Sequence, residues 1–322
     1  MSKNNNYSQS VTVILNTKGG VGKSTASLQV ITPFLYQQIN GNNITDINDT
    51  QTKVRIYDID AKNNSSKILG NSKLFESFLV KKCDLSLEKI LNEEINSLSR
   101  DYPLVFDIGN TFTEDFLKVL SNMFTISDKT INFIVPVKQD EDDARNAKNT
   151  IELVKRYHKN ANISVVCSDS IANPNDYEDL TMEFEMIFEN YYNYNKSKFL
   201  PGLFSELALD NKYFVVKKTI GVGNLLVRSK VWTRKTIFEN AIEAAQMKRN
   251  RASHPDVIAY NEARKKAIEF YKKDKNSKEG KVEEQKSLIL ASLMNIKNHC
   301  DNYRLEHLNA TFRQIEDNDI II

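Results

Sequence analysis

The residues at positions 18–25, Lys-Gly-Gly-Val-Gly-Lys-Ser-Thr, are of the types that bind the phosphates of a nucleotide. Glycines allow backbone N–H groups to wrap around a phosphate that side chains would obstruct. In this pattern Lys23 contacts the β- and γ-phosphates, and the hydroxyl group of Ser24 ligates Mg²⁺. The sequence therefore predicts ATP and Mg²⁺ as cofactors. The predicted phosphate site comprises Lys18, Gly19, Gly20, Val21, Gly22, Lys23, Ser24 and Thr25.

A strand before this loop and a helix after it are the structural context that a phosphate-binding loop requires. The run of β-branched residues at 11–15 predicts a buried strand, and 24–38 reads as a helix in which Pro33 introduces a kink. Further strands are predicted at 53–59, 102–108, 131–137, 162–167 and 213–216. Further helices are predicted at 85–98, 113–123, 141–158 and 178–192. This alternation predicts an α/β fold with a doubly wound, mostly parallel sheet of the P-loop NTPase type.

Two of the predicted strands end in acidic residues. Asp58 and Asp60 close the strand at 53–59, and Asp107 closes the strand at 102–108. The carboxyl ends of parallel strands meet at one edge of a sheet, where ligands bind in such folds. A carboxylate beside the phosphate-binding loop organises Mg²⁺ or the water that attacks the phosphate. We therefore assign Ser24, Asp58 and Asp107 to the metal site, with Asp58 equally suited to a structural hydrogen bond.

A second lysine, Lys18, stands on the outer lip of the loop, five residues before Lys23. From that position its side chain does not easily curl back to its own nucleotide. A role for Lys18 is therefore to reach a phosphate that another subunit binds.

With these residues the sequence resembles the ParA/MinD family of deviant Walker ATPases. The segment 58–65 resembles the D-x-D-P-Q-G-N-A motif of that family, although Ala61, Lys62 and Asn63 replace Pro, Gln and Gly. The segment 105–109 resembles the Walker B strand without its usual Pro-Pro, and 133–137 resembles the strand that carries a Pro-Val or Pro-Thr pair. The resemblance covers about residues 11–170.

The resemblance implies an ATP-dependent homodimer in which Lys18 of each subunit contacts the ATP of the other. It also implies that Asp60 positions the attacking water and that Asp107 holds Mg²⁺ through its water shell. The catalytic residues would then be Lys18, Lys23 and Asp60. Because the sequence contains no evident general base, we expect ATP hydrolysis to be slow unless a partner stimulates it.

Composition places the chain among globular proteins. The hydrophobic fraction is 40% and the charged fraction is 27%, and no apolar run is long enough to span a membrane. The N-terminal ten residues are polar and unlike a signal peptide, and the three cysteines are too few and too far apart for a disulfide framework. We therefore expect a cytoplasmic protein.

Positive charge is concentrated in one part of the chain. Residues 211–286 contain 19 Lys or Arg and 9 Asp or Glu, although the net charge of the whole chain is only +2. Such asymmetry is typical of a surface that meets a polyanion, and ParA-type relatives bind nonspecific DNA through C-terminal basic residues. We therefore predict association with the nucleoid. The candidate DNA contacts are Lys217, Lys218, Arg228, Lys230, Arg234, Lys235, Lys248, Arg249 and Arg251. Trp232, within this basic segment, is predicted to pack against the protein.

The leading hypothesis is a DNA-partition (plasmid segregation) ATPase that a centromere-binding adaptor of the ParB type stimulates. Only about ten residues precede the first strand, too few for a helix-turn-helix domain. The alternatives are a related ATPase that positions a conjugation apparatus or another protein cargo, a MinD-like membrane switch, and a ligase that activates a carboxylate with ATP. The acidic end of the chain disfavours stable membrane association.

The predicted organisation is a flexible N-terminus at 1–10, a P-loop ATPase domain at 11–250 and a helical extension at 251–322. A helix start with Ser or Asp as its cap is predicted at 253–256, and a charged linker at 272–281. Apolar residues at helical spacing through 282–315 predict a long helix or helical pair that packs on the core or on a second subunit.

Overall fold

The computed structural model describes most of the chain. Its described residues are 7–322 except 8, 42–43, 49, 61–64, 83–84, 96–100, 124–130, 173–175, 194–195, 208, 210–211, 220–223, 319 and 321. The motif residues at 61–64 therefore lie outside the described residues, as does most of the N-terminal segment 1–10.

Seven parallel strands form one sheet, in the order β3-β2-β4-β1-β5-β6-β9. The strands of this sheet are β1 (Val11–Ile14), β2 (Val54–Ile59), β3 (Phe75–Val80), β4 (Leu104–Ile108), β5 (Ile131–Val137), β6 (Asn162–Ser170) and β9 (Tyr213–Lys217). A separate antiparallel pair consists of β7 (Tyr191–Asn193) and β8 (Lys198–Leu200). The predicted parallel α/β sheet is confirmed, and six of its seven strands coincide with predicted ones.

Helices connect the strands in the first two thirds of the chain. These helices are α1 (Lys23–Ala26), α2 (Thr32–Asn40), α3 (Ser65–Ile68), α4 (Leu85–Ile95), α5 (Thr113–Ser121), α6 (Glu141–Tyr157), α7 (Tyr177–Glu183), α8 (Glu185–Phe188), α9 (Leu203–Leu207) and α10 (Leu225–Arg228). A π-helical segment, Ser27–Ile31, joins α1 to α2, and a short 3-10 turn, Asn110–Phe112, precedes α5.

The remainder of the chain is helical, as predicted. It comprises a π-helical segment (Ser229–Thr233), α11 (Ile237–Arg249), α12 (Pro255–Lys273), α13 (Lys278–Tyr303), a second π-helical segment (Arg304–Leu308) and α14 (Asn309–Asp317).

Alternate side chains of the central strands enter two different apolar layers. Phe106 of β4 packs with Phe116 of α5 on one face of the sheet, whereas Val105 lies in the layer on the other face. In that second layer Phe34 of α2 packs edge-on against Phe312 of α14. Burial on both faces explains why these strands are continuous apolar runs. The end of the chain is therefore part of the core beside the phosphate-binding loop.

The disturbance predicted at Pro33 takes the form of a wider turn. Pro33 lies in the first turn of α2, immediately after the π-helical segment Ser27–Ile31. A proline ring clashes with the carbonyl group four residues earlier in an α-helix, and a π-helical turn relieves that clash.

Four sequence predictions of local structure need correction. The predicted helix at 178–192 ends at Phe188, because Glu189 is extended and Tyr191–Asn193 pairs with β8. Strand β3 was not predicted, since its exposed middle resembles a surface segment.

The starts of two helices also differ from the prediction. His254, rather than Ser253 or Asp256, caps α12, and its Nδ1 accepts a hydrogen bond from the Asp256 N–H at 3.3 Å. The linker before α13 is shorter than predicted, because the Ser277 hydroxyl accepts the Gly280 N–H and starts the helix at Lys278.

None of the helices in the described part of the chain is long and apolar enough to cross a membrane. Cys167 and Cys300 are free thiols buried in the core.

Candidate nucleotide site

The loop between β1 and α1 has the backbone shape that phosphate binding requires. Gly20 and Gly22 have φ values of +77° and +98°, a region that side chains disfavour, and Gly22 caps the N-terminus of α1. A Cβ atom on Gly22 would lie 2.9 Å from the Oγ atom of Ser168, near the end of β6. The glycine is therefore required both by its conformation and by the space around it.

The start of the loop is attached to its neighbours by side-chain hydrogen bonds. The buried Asn16 side chain donates to the Pro136 carbonyl oxygen at 2.7 Å and accepts the Lys18 N–H at 2.8 Å. The Thr17 N–H donates to the Thr150 hydroxyl of α6 at 3.1 Å. These contacts hold the loop between β5 and α6 before any ligand binds.

Lys23 folds back over the loop. Its ammonium group donates to the carbonyl oxygens of Lys18 at 2.9 Å and Asn16 at 3.3 Å. Burial lowers the pKa of Lys23, and the negative charges of Asp107 and Asp60 oppose that shift. The ammonium group therefore lies between the loop and the acidic residues, where it can contact a bound phosphate.

The predicted acidic residues converge as the parallel sheet requires. Asp58 of β2 lies directly beside Asp107 of β4 in the strand register, and Asp107 lies beside Ile14 at the end of β1. Asp60 follows β2, and its carboxyl group lies against Gly109, where a Cβ atom would come within 2.8 Å of it. Three carboxyl groups thus meet at the carboxyl edge of the sheet.

Asp107 has the surroundings of a Mg²⁺ ligand. Burial, together with the nearby charge of Asp58, raises the pKa of Asp107 to about 7, and a hydrogen bond with the Ser24 side chain opposes this rise. Ser24 and Asp107, the two predicted ligands, therefore touch each other. A Mg²⁺ ion in such sites keeps several waters and needs only one or two protein ligands besides phosphate oxygens. The residues present fit this ion, although no cluster of three or more metal-binding side chains occurs within the described residues.

Asp58 has a structural partner. Its Oδ2 atom accepts hydrogen bonds from the Ser66 hydroxyl at 2.9 Å and from the Ser66 N–H at 3.2 Å. Burial raises the pKa of Asp58, and these two bonds lower it. Of the two roles left open by the sequence, the geometry provides the structural hydrogen bond, which holds α3 against β2.

Lys18 lies against acidic residues of its own chain. Its ammonium group forms an ion pair with Asp143 and lies 3.9 Å from the carboxylate of Asp140, the N-cap residue of α6. The hydrogen bond with Asp143 raises the pKa of Lys18. In this subunit, the lysine is directed toward α6 and away from its own phosphate site.

Two residues at the end of β6, Ser168 and Asp169, lie near the loop. Ser168 is buried, and its hydroxyl group has no hydrogen-bond partner among the described atoms. Asp169 has a positive φ of 59° and forms an ion pair with Lys138 at 2.9 Å. Ser168 and Asp169 therefore border the site, at the end of β6.

Most of the predicted DNA contacts have partners within the chain. Lys217 donates hydrogen bonds to the carbonyl oxygens of Ile171 and Ala172. Arg234 donates to the carbonyl oxygen of Ile68, and Arg249 donates to that of Thr45. Lys235 forms an ion pair with Glu243, and Lys248 forms one with Asp301. Burial lowers the pKa of Lys230, and the negative charges of Asp107 and Asp58 oppose that shift. Lys218, Arg228 and Arg251 are exposed. Trp232, predicted to pack, is 54% exposed.

Another set of exposed basic residues was not singled out from the sequence. Arg264, Lys265 and Lys266 lie on α12 between Ala263 and Ala267, the two buried residues of that helix. The four-residue spacing of these alanines could have identified the inner face of α12 and thus the exposed position of its basic residues.

Comparison with known proteins gives neighbours in structure alone. No protein-family profile and no curated protein sequence matches the chain. The MinD cell division protein of Aquifex aeolicus is 16% identical with a TM-score of 0.40, covering 76% of this chain and 93% of its own. Apo McdA of Cyanothece is 12% identical with a TM-score of 0.40, covering 77% of this chain and 94% of its own.

A further neighbour is a candidate plasmid partition protein of Borrelia burgdorferi B31 bound to AMPPNP. It is 14% identical with a TM-score of 0.38, covering 74% of this chain and 99% of its own. These three neighbours belong to the ParA/MinD family, which the sequence motifs resemble. At such identities and TM-scores they carry no argument about activity, which rests on the residues of this chain.

Proposed function

We propose that this chain is a Mg²⁺-dependent ATPase that dimerises with ATP, binds nonspecific DNA in that state and segregates a DNA cargo. The observation that carries the ATPase proposal is the convergence of Lys23, Ser24 and Asp107 at the glycine-rich loop. Lys23 supplies a positive charge beside the loop, and Ser24 already touches Asp107. These are the groups that binding of a nucleotide with Mg²⁺ requires.

The residues of the chain have separate tasks in this reaction. Backbone N–H groups of the loop and the N-terminus of α1 bind the phosphates, and Lys23 neutralises their charge. Ser24 and Asp107 would hold Mg²⁺, and the ion would supply further charge neutralisation at the phosphates. Asp60, beside Gly109 at the edge of the sheet, positions the attacking water. Lys18 contacts the nucleotide of the second subunit after leaving Asp143.

The DNA-binding step is supported by exposed positive charge. Lys218, Arg228 and Arg251 form one candidate set, and Arg264, Lys265 and Lys266 on α12 form another. Contacts between such residues and DNA phosphates release counterions, so the affinity falls steeply as the salt concentration rises.

The first test measures binding of a random-sequence DNA duplex with ATP, with ADP and without nucleotide, each at two salt concentrations. We expect tight, salt-sensitive binding with ATP alone, and its loss in Lys18→Ala, which cannot form the ATP dimer. Charge reversal of each basic set to Glu identifies the DNA surface, because only the set that contacts DNA should reduce the salt dependence. Absence of DNA binding in every state would overturn the DNA cargo and leave an ATPase that positions a protein.

A separate test addresses the nucleotide site itself. Lys23→Ala should abolish binding of a fluorescent ATP analogue in the presence of Mg²⁺. Lys218→Ala removes an equal charge from an exposed position outside the site and should bind the analogue as the wild type does. Equal binding by Lys23→Ala and the wild type would contradict the nucleotide site.

A further inference from the structure

The helical stretch 225–233, which comprises α10 and the π-helical segment Ser229–Thr233, has a buried face and an exposed one. Leu225, Ser229 and Thr233 recur at every fourth position and are buried. The exposed side chains between them are those of Val227, Arg228, Val231 and Trp232, which we call the Trp232 surface. Single exposed apolar residues need no explanation, but two valines beside an exposed tryptophan are typical of a surface that meets another molecule.

The Trp232 surface is held in place from its buried side. The buried Asn240 side chain donates hydrogen bonds to the hydroxyl groups of Ser229 at 2.8 Å and Thr233 at 2.9 Å. The Ser229 hydroxyl donates to the Lys235 carbonyl oxygen at 2.8 Å, and the Asn71 side chain donates to the Thr233 carbonyl oxygen at 3.1 Å. A surface fixed in this way loses little conformational freedom when it binds a partner.

Positive charge accompanies the apolar part of the Trp232 surface. Residues 225–235 contain four Lys or Arg and no Asp or Glu. The guanidinium group of Arg228 forms no hydrogen bond or ion pair with any residue that the structure describes. A partner that complements this surface therefore has an apolar centre with carboxylates beside it.

A surface with the opposite charge lies on α7. Met182 is 76% exposed, and Glu178 and Asp179 stand four and three positions before it, so their side chains are its neighbours on the helix. Ile171 lies beside this helix, because its N–H donates to the Glu183 carboxylate at 2.9 Å, and its side chain is exposed as well. We call Ile171, Glu178, Asp179 and Met182 the Met182 surface.

The charge of the Met182 surface comes from carboxylates. Residues 176–189 contain six Asp or Glu and no Lys or Arg. Within the described part of the chain, the carboxylates of Glu178 and Asp179 form no hydrogen bond or ion pair. The chain therefore carries two exposed apolar surfaces of opposite charge, and the chain itself covers neither of them.

We propose that the Trp232 surface of one copy of this chain binds the Met182 surface of a second copy. Trp232 packs against Met182, because a thioether sulfur makes favourable contacts with an aromatic ring, and Arg228 pairs with the carboxylates of Glu178 and Asp179. One contact of this size is weak. In a two-fold arrangement each copy contributes both surfaces, so the same contact forms twice.

This contact goes beyond the ATP-dependent dimer of the proposed function. Neither surface includes Lys18 or a residue of the phosphate-binding loop, and the folded chain alone forms both surfaces. We therefore expect the copies to associate without nucleotide. The charged groups lie at the protein surface, so the association weakens as the salt concentration rises. Arg228 is also a candidate DNA contact, and the test distinguishes the two roles.

The first measurement uses the wild-type chain without nucleotide or DNA. Trp232 is the only tryptophan of the chain, so tryptophan fluorescence reports on this surface alone. As the protein concentration rises in a low-salt buffer, we expect the emission to shift to shorter wavelength and the quenching by acrylamide to decrease. Constant emission and quenching at every concentration overturn the proposal, even if the protein associates through another surface.

An exchange of charges tests the pairing itself. Arg228→Glu and Glu178→Arg should each raise the dissociation constant of this association by at least about tenfold, because each variant places like charges together in both contacts. The double variant Arg228→Glu/Glu178→Arg restores opposite charges and should associate within about threefold of the wild type. Analytical ultracentrifugation without nucleotide measures all three constants.

Matched controls change the same charges elsewhere. Arg251→Glu and Glu262→Arg alter exposed residues outside both surfaces and should associate as the wild type does. Two results overturn the proposal: unchanged association of both single variants, and weakening that the double variant does not restore. If Arg228→Glu leaves association unchanged but weakens DNA binding, Arg228 is a DNA contact instead. Because these association measurements contain no nucleotide, a failure of the proposed nucleotide site does not alter their outcome.

Discussion

Lys18 forms an ion pair with Asp143, whose side chain is only 3% exposed, whereas that of Lys18 is 34% exposed. Asp143 lies in the first turn of α6, and its N–H donates to the side chain of the N-cap residue Asp140 at 2.7 Å. In the proposed dimer this ammonium group reaches the nucleotide of the second subunit, whereas here it is held by its own subunit.

Asp143→Asn should therefore favour the ATP-dependent dimer. Removal of the negative charge weakens the ion pair that holds Lys18. We expect the protein concentration at half-dimerisation with ATP and Mg²⁺ to fall by about threefold, because a partly exposed ion pair contributes little free energy. Analytical ultracentrifugation measures this shift. Asp142→Asn, on the same turn but exposed and paired with Arg145, is the matched control. A dimer that is unchanged or weaker in Asp143→Asn contradicts the release of Lys18.

Gly22→Ala should impair nucleotide binding more than stability. The substitution places a Cβ atom 2.9 Å from the Ser168 hydroxyl and forces alanine into a positive φ. We expect the affinity for ATP to fall by at least about tenfold, because displacement of the loop removes several backbone donors. Isothermal titration calorimetry gives the affinity, and thermal unfolding gives the stability.

Gly41→Ala is the control for Gly22→Ala. Gly41 has a φ of +103° and open space around its Cα atom, so alanine there causes the conformational strain without the overlap. Its affinity for ATP should match that of the wild type. Equal loss of affinity in both variants would show that the overlap with Ser168 is unimportant.

Lys297→Met should destabilise the helical region. The ammonium group of Lys297, 12% exposed, lies between Asp256 at 2.5 Å and Glu243 at 2.7 Å, so its loss leaves two carboxylates without this partner. We expect the free energy of unfolding to fall by about 2 kcal/mol. Urea denaturation measures the change. Lys286→Met, also on α13 but exposed and 3.9 Å from Glu283, should cost less than about 0.5 kcal/mol.

The stability of the fold should decrease as the pH falls through the range in which histidine titrates. His158 packs against Phe133 with ring centroids 5.5 Å apart, and burial lowers its pKa, despite a hydrogen bond with the backbone of Leu117. Below the ordinary histidine pKa of about 6.5, the unfolded chain therefore binds a proton that the folded protein does not. This loss begins below that value and is complete once the pH is below the lowered pKa.

Comparison of His158→Phe with the wild type isolates this contribution. The variant has no titrating group at position 158, so its free energy of unfolding between pH 7 and pH 5 should decline less than that of the wild type. Urea denaturation at pH 7, 6 and 5 provides the measurement. Parallel declines for the two proteins would show that His158 does not cause the loss.

Continuous apolar runs and glycine spacing make several elements of this fold predictable without the structure. The phosphate-binding loop, the strands that end at Asp58 and Asp107 and the parallel sheet follow from local patterns, because buried parallel strands and the loop glycines need particular residue types at fixed positions. Edge strand β3 and the hairpin of β7 and β8 have no such pattern. Exposed residues break the apolar run in β3, and the pairing of Tyr191–Asn193 depends on a partner strand.

The partners of the basic side chains depend on tertiary packing. The density of lysine and arginine in 211–286 is a property of the sequence, but charge along a chain does not reveal which side chains meet carboxylates or carbonyl groups. Folding pairs Lys18 with Asp143 and Lys248 with Asp301, and leaves Lys218 exposed. Such ion pairs join residues far apart in the chain, and the packing of the helices against the sheet brings them together.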